Sequence, residues 1–407
     1  KTITVNVTGT NDAPAITLGA GDWNTGALTE TNTGMGVIGG VLVNSAQGFI
    51  TISDLDRTNI VNTTKSLVVS GTSNPSDPAA PSNNSLLGML ILTANPILNA
   101  TEQSDRLFWY FESGGETFDY LRKGETLILT YTITATDNAT PPLSGSNTVT
   151  ITITGTNDKP LISGKDTSAG DVSALAETNT TVSASGSLTV ADLDTTDTVS
   201  AAISSVALSG TFMTSGASLP TSLGSSADGY AALKGMLTLS ATGGLSALAA
   251  DAQGGTLLNW TFTSGSSGDA AFEFLRKGET LTLTYTLILT DNSGSTGSGV
   301  DGVAATSTTV AITISGTNDT PLITATDQAS GDIAALTETN STVTTSGSLT
   351  VTDLDTTDTV SAVVSSVALS GTFTSSGSTL PTALSASSYQ ALKAMLALTP
   401  SAGTAIA

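Results

Sequence analysis

The chain has 407 residues, 34 of them acidic against 12 basic, with a formal net charge of −22, so phosphate backbones and anionic lipid surfaces are poor partners and cations are good ones. It contains no Cys and no His, which excludes disulfide scaffolds and thiolate metal sites and removes the common nucleophile and base pairs of enzymes. Only 11% of residues are charged, so this is no charged disordered tail, and the bulk of Thr, Ser, Gly, Ala, Val and Leu favours β structure with many small turns.

Residues 1–12, KTITVNVTGTND, alternate polar and aliphatic positions and read as the last strand of a preceding repeat. They lack the charged and apolar regions of a signal peptide, and no apolar run in the chain approaches the ~18 residues of a membrane span. Residues 13–158 read as one complete repeat. Within it come ETN at Glu30, DLD at Asp54, the segment SLLGMLILTA (85–94), which predicts a helical turn running into a strand, and FWYFESGG, which places Trp109 and Phe111 in a core. FDYLRKGETLILTYTITATDN and NTVTITITGTND follow as period-2 strands, aliphatic on one face and Thr on the other.

Residues 159–319 repeat the order: ETN at Glu177, DLD at Asp192, YAALKGMLTLSA (230–241), Trp260 and Phe262, FEFLRKGETLTLTYTLILTDN, and GTND at Gly316. Residues 320–407 begin a third copy, with ETN at Glu338 and DLD at Asp353, and stop before the tryptophan segment. The pairs Glu177 and Glu338, Asp192 and Asp353, and Gly155 and Gly316 are each 161 positions apart, the mark of tandem duplication. Short alternating strands broken by Gly, Asn, Asp and Ser predict an all-β protein of antiparallel β-sandwiches in a linear array.

The acidic residues concentrate in turns. In an extended strand the two Asp of DLD point to opposite faces, whereas a bend brings them together. Close carboxylates repel unless a cation lies between them, and calcium takes 6 to 8 oxygens from flexible loops. Asp and Asn also form turns by themselves. Generic turns could use Ser or Gly equally well, so the recurrence of four motifs, ETN, DLD, TDN and GTND, in fixed order favours the cation.

The run ATDNATPPLSGSNTVTITITGTNDKPLI (135–162) resembles the end of a cadherin repeat, and ALAETN followed by SLTVADLDTTD resembles its beginning. The GTNDAP joint, the GET segment and the Thr-rich strands are similar to the VCBS repeat family of large bacterial secreted adhesins. The resemblance implies cadherin-like (Ig-like) sandwiches with calcium at each joint. Carried over by position, the joint between the first two repeats would use Glu30, Glu125, Asn157 and Asp158 with Asp192, Asp194 and Asp291. The next would use Glu177, Glu279, Asn318, Asp319, Asp353 and Asp355, and the opening joint Asn11, Asp12, Asp54, Asp56 and Asp137. Where cadherins have Asp-Arg-Glu this chain has Arg-Lys-Gly-Glu, which weakens the parallel at Glu125 and Glu279 and reduces the ions expected per joint.

The function expected on this basis is non-enzymatic: a calcium-stiffened extender of a bacterial cell-surface or secreted adhesin or matrix protein, acting in cell adhesion or biofilm. Its partners would be neighbouring repeats of the same protein, with no nucleic acid and no membrane insertion. The alternative is a surface-layer or extracellular fibre subunit, in which other copies are partners. A glycan-binding role would need exposed aromatics, and the tryptophan segments are read as core.

Overall fold

The computed structural model describes residues 1–31, 36–38, 41–165, 172–178, 180–195, 197–241, 248–249, 255–265, 272–292, 305–326, 334–372, 376–385 and 389–399. The first sandwich contains β1 (Ala15–Thr17), β2 (Thr25–Thr29), β3 (Gly36–Ile38), β4 (Val41–Val43), β5 (Gln47–Ser53), β6 (Asn62–Gly71), α1 (Asn83–Met89), β7 (Leu90–Leu92), β8 (Ser104–Phe111), β9 (Thr126–Thr136) and β10 (Ser144–Thr154). One sheet has the order β1-β5-β8-β7 and the other β2-β10-β9-β6, while β3 and β4 form a separate hairpin. The alternation in β9 sets the packing: Leu127, Leu129, Tyr131, Ile133 and Ala135 are buried, and the intervening residues are half-buried.

The second sandwich contains β11 (Leu161–Lys165), β12 (Val172–Ala176), β13 (Ser183–Ala191), β14 (Thr198–Ser209), α2 (Thr211–Thr214), α3 (Ala231–Gly235), β15 (Leu237–Ala241), β16 (Leu248–Ala249), β17 (Thr256–Thr263), β18 (Thr280–Asp291) and β19 (Ala305–Ser315). Its sheets, β11-β13-β17-β15 and β12-β19-β18-β14-β16, repeat the first order with β16 added at one edge. The array is therefore tandem all-β sandwiches. Each has one departure from antiparallel pairing. After β1 the chain crosses to the opposite sheet, so β2 runs parallel to β10, and β12 likewise runs parallel to β19.

Trp109, Phe111, Trp260 and Phe262 are all buried, as their sequence context predicts. Two strand glycines make room for the indoles. Gly48 pairs with Trp109, and a Cβ there would lie 2.7 Å from the ring; Gly186 pairs with Trp260, with a corresponding distance of 2.5 Å. The helical turns expected at 85–94 and 230–241 are α1 leading into β7 and α3 leading into β15. Each is tied to the facing sheet by a buried tyrosine: Tyr131 donates to the Leu86 carbonyl at 2.7 Å and Tyr285 to the Leu233 carbonyl at 2.8 Å.

The remaining segments are less paired. Ile3, Val5 and Val7 are exposed and no strand is formed over residues 1–12. Among the described residues of the third repeat, β20 (Leu322–Thr326) pairs with β21 (Leu349–Thr352), and two short helices follow at Thr382–Ser385 and Gln390–Lys393. Residues 361–370, within the counterpart of β14, form no strand, and Leu322, Ile323 and Val363 are exposed. Among the described residues no helix is long and apolar enough to cross a membrane.

Candidate metal centre

GTND at 155–158 lies where the first sandwich passes to the second and GTND at 316–319 where the second passes to the third repeat, and at both the glycine fixes how. The LRKGET loop folds over Gly155 so closely that a Cβ would sit 2.1 Å from the Leu121 carbonyl oxygen and 2.4 Å from that of Arg122. Gly155 in turn donates to the Glu125 carbonyl at 2.9 Å. Gly316 meets Leu275 and Arg276 at the same two distances and donates to Glu279. Gly155→Ala should thus displace the loop or the linker and cost about 1–3 kcal/mol. Thermal melting checks this, and an unchanged midpoint would show that the loop yields freely.

Beyond the glycine, Thr156 donates to Glu30 Oε1 and holds it at the seam. The backbone N–H of Asp158 then donates to Asp194 Oδ2 at 2.7 Å, and the N–H of Asp194 to Asp192 Oδ1 at 3.1 Å. The last contact is the bend that brings both Asp of DLD to one side. The unit occurs three times, since Asp12 donates to Asp56 at 2.7 Å and Asp319 to Asp355 at 2.8 Å, while Asp56 and Asp355 donate back to Asp54 and Asp353.

At the joint between the first two repeats these contacts gather two overlapping groups. Glu30, Asp119 and Asp158 place one carboxylate oxygen each within 4.8 Å of one another. Asp158 also joins Asp192 and Asp194, and Asn157 reaches Asp291 Oδ2 at 3.2 Å. Six buried oxygens of this seam have no hydrogen-bond partner: Glu30 Oε2, Asp119 Oδ1, Asn157 Oδ1, Asp158 Oδ2, Asp192 Oδ2 and Asp194 Oδ1. Burial, with Asp158 and Asp119 adding to it, pushes the Glu30 carboxyl up to about 7. Burial and Asp119 raise Asp158 to about 6. Asp192 rises to about 7 and Asp194 to about 9, burial leading and the neighbouring aspartates reinforcing it.

The next joint repeats the first group with Glu177, Glu273 and Asp319, also within 4.8 Å. Thr317 holds Glu177 through its N–H at 2.7 Å, and Glu273 is raised to about 7 by burial and by Asp319, Glu177 and Asp355. Asn318 donates to the Asp319 carbonyl at 2.8 Å. The opening joint differs. Asn11 donates to Asp137 Oδ2 at 2.9 Å, and with the N–H groups of Leu143 and Ala139 it outweighs burial and lowers the Asp137 pKa. Its carboxylates are thus largely held by protein donors, with Asp54 Oδ2 as the exception.

Glu125 and Glu279 lie beside this cluster in ion pairs, Glu125 with Arg122 at 3.4 Å and Glu279 with Arg276 at 3.3 Å. Each group also contains a carboxylate that sequence reasoning missed, Asp119 or Glu273. Its signal was the acidic residue after Phe in FDY and FEF. A second, direct linkage also crosses each seam. Arg122 approaches Asp197, and Arg276 approaches Asp358, both at 3.7 Å. Thr195 donates to Asp77 of the first repeat and to the Tyr120 carbonyl, and Thr356 to the Phe274 carbonyl.

No protein-family model matches the chain, and no curated protein matches it in sequence. Solved structures similar to it include mouse cadherin-23 EC22-24, at 14% identity over 78% of this chain and 71% of that one, with a TM-score of 0.27. Human protocadherin-24 EC1-2 is 12% identical over 75% of this chain and 98% of its own, with a TM-score of 0.28. Protocadherin gamma B2 extracellular cadherin domains 1-5 are 14% identical over 76% of this chain and 41% of their own, with a TM-score of 0.31. The fold assignment itself rests on the sheet orders described above.

Proposed function

We propose that this chain is a calcium-rigidified, non-enzymatic spacer: an extracellular repeat region of a bacterial surface adhesin or matrix protein, similar to VCBS repeats, that serves cell adhesion or biofilm. The observation that carries the reading is the set of six unpartnered buried oxygens at the joint between the two sandwiches. Leaving such groups unpaired costs about 1–3 kcal/mol each or more for charged ones, and a hard cation satisfies them together. All six are hard oxygen donors, the kind calcium takes from flexible loops. The chain has no His or Cys to favour a softer metal. Glu30, Asp119 and Asp158 would hold one ion, and Asp158, Asp192, Asp194 and Asn157 a second, the cations supplying the positive charge that fixes adjacent sandwiches. Glu177, Glu273 and Asp319 would hold an ion at the following joint, with Asp353 and Asp355 beside it. Neighbouring repeats are the partners in this reading.

Titration calorimetry tests the proposal. The full chain should take up more than one calcium ion, and small-angle scattering should show a longer, stiffer particle in calcium than in EDTA. Asp158→Asn, which touches both groups, should lose binding at that joint. Absence of calcium uptake, or scattering unchanged by it, would sink the reading; growth of the particle mass in calcium would favour lateral assembly.

A further inference from the structure

The strand β8 carries aromatic residues on both faces. Trp109 and Phe111 point into the core, so Phe108 and Tyr110 stand on the outer face of the sheet. Phe49 pairs with Phe108 across the ladder, their ring centroids 5.0 Å apart, and Tyr110 lies 6.0 Å from Phe108. Trp23 lies at the edge of this sheet, where its backbone N–H donates to the Phe49 carbonyl at 3.0 Å, and the residue is 66% exposed. The Arg106 guanidinium lies 4.3 Å from the Phe49 ring centroid. It is fixed there through Nε and Nη2 by Asp22, at 2.9 and 2.7 Å, and the side chain of Asp22 is itself wholly buried.

The sandwich does not require this face. In the second repeat the residues aligned by the Trp260 register are Ser187 for Phe49, Asn259 for Phe108, Thr261 for Tyr110 and Leu257 for Arg106. The inward Gly186, Trp260 and Phe262 are retained. The outward aromatics are thus an addition to the first repeat alone among the two complete sandwiches.

We propose that this outer face is a binding site for a neutral polysaccharide. The weakly positive C–H face of a pyranose ring matches the negative face of an aromatic ring, and a row of rings across a sheet offers successive sugars successive platforms. Arg106 still has Nη1 to donate to ring hydroxyls, since its Nε and Nη2 are already engaged. Charge selects against a polyanionic glycan, which meets a chain of net charge −22. The site lies apart from the joints and does not depend on the calcium reading.

The chain contains three tryptophans, of which Trp109 and Trp260 are buried and Trp23 is exposed, so acrylamide-quenchable fluorescence reports on Trp23. The full chain in calcium is titrated with amylose, hydroxyethylcellulose, laminarin and mannan, with alginate as the polyanion. At least one neutral polysaccharide should protect the fluorescence from quenching and retard the protein in affinity electrophoresis. Phe108→Ala and Arg106→Gln should each weaken the retardation about tenfold, and Asn259→Ala should leave it unchanged. Trp23→Ala, which leaves the core intact, should weaken it comparably and keeps the test valid if Phe108→Ala unfolds. Protection by none of the four neutral glycans, protection by alginate alone, retardation indifferent to Trp23→Ala, or a concentration-dependent dimer that shields Trp23 would each overturn the proposal.

Discussion

Melted in EDTA, the protein should lose stability as the pH is raised from about 5 to about 9, and in calcium that loss should vanish, stability falling instead only as the pH drops below about 4. Without a cation, Glu30 and Asp192 titrate at about 7, Asp158 at about 6 and Asp194 at about 9. All lie above the ordinary carboxylate values that apply once the chain unfolds. The folded state therefore binds more protons than the unfolded one across this window. Stability is complete below the unfolded values and is lost as pH rises through the folded ones. One proton held over one pH unit corresponds to about 1.4 kcal/mol, so the loss is on the order of several kcal/mol. A bound cation favours the ionised forms and drops the folded pKa values below the unfolded ones, so acid then becomes the destabilising condition. Melting curves at stepped pH with and without calcium check this. Parallel profiles in the two buffers would show that the seam carboxylates meet no cation.

Trp260→Ala should cost roughly 3–5 kcal/mol, the range for emptying a buried aromatic site. Trp260 is buried in a cluster with Leu258, Phe262, Tyr285 and Val310, and the matching cluster around Trp109 forms a separate core. The melting transition of the second sandwich should move down while the first keeps its own. Asp192→Ala should do the opposite, loosening the joint with both cores folded. Differential scanning calorimetry in calcium separates the two outcomes. A single transition shifted as a whole by Trp260→Ala would show that the sandwiches melt as one unit.

Much of this was legible in the sequence because its physics is local. Period-2 alternation defined β9, β10, β18 and β19, and the repeated DLD announced a bend that the Asp194 to Asp192 contact makes. Other features depend on distant partners. Asp119 and Glu273 recur after Phe in FDY and FEF, but they lie between core aromatics and differ in identity, so that recurrence did not show that they face Glu30 and Glu177 across the fold. The side to which Phe108 and Tyr110 point is set by the indole of Trp109 filling the space above Gly48. The crossing from β1 to β2 is three-dimensional and leaves no periodic trace. Composition counted aromatics correctly but could not assign them to faces, so Trp23 went unread.

The identical docking of LRKGET onto the following DLDTTD at two successive joints has a genetic meaning. Arg122 and Arg276 meet Asp197 and Asp358 at the same 3.7 Å, so the tail of one unit grips the head of the next through the same ion pair, with Thr195 adding its contact to Asp77 at the first seam. An unequal crossover that inserts or deletes one whole unit between matching positions creates no new surface. Copy number in such a gene can drift between generations while every seam in the product remains one that has already been selected.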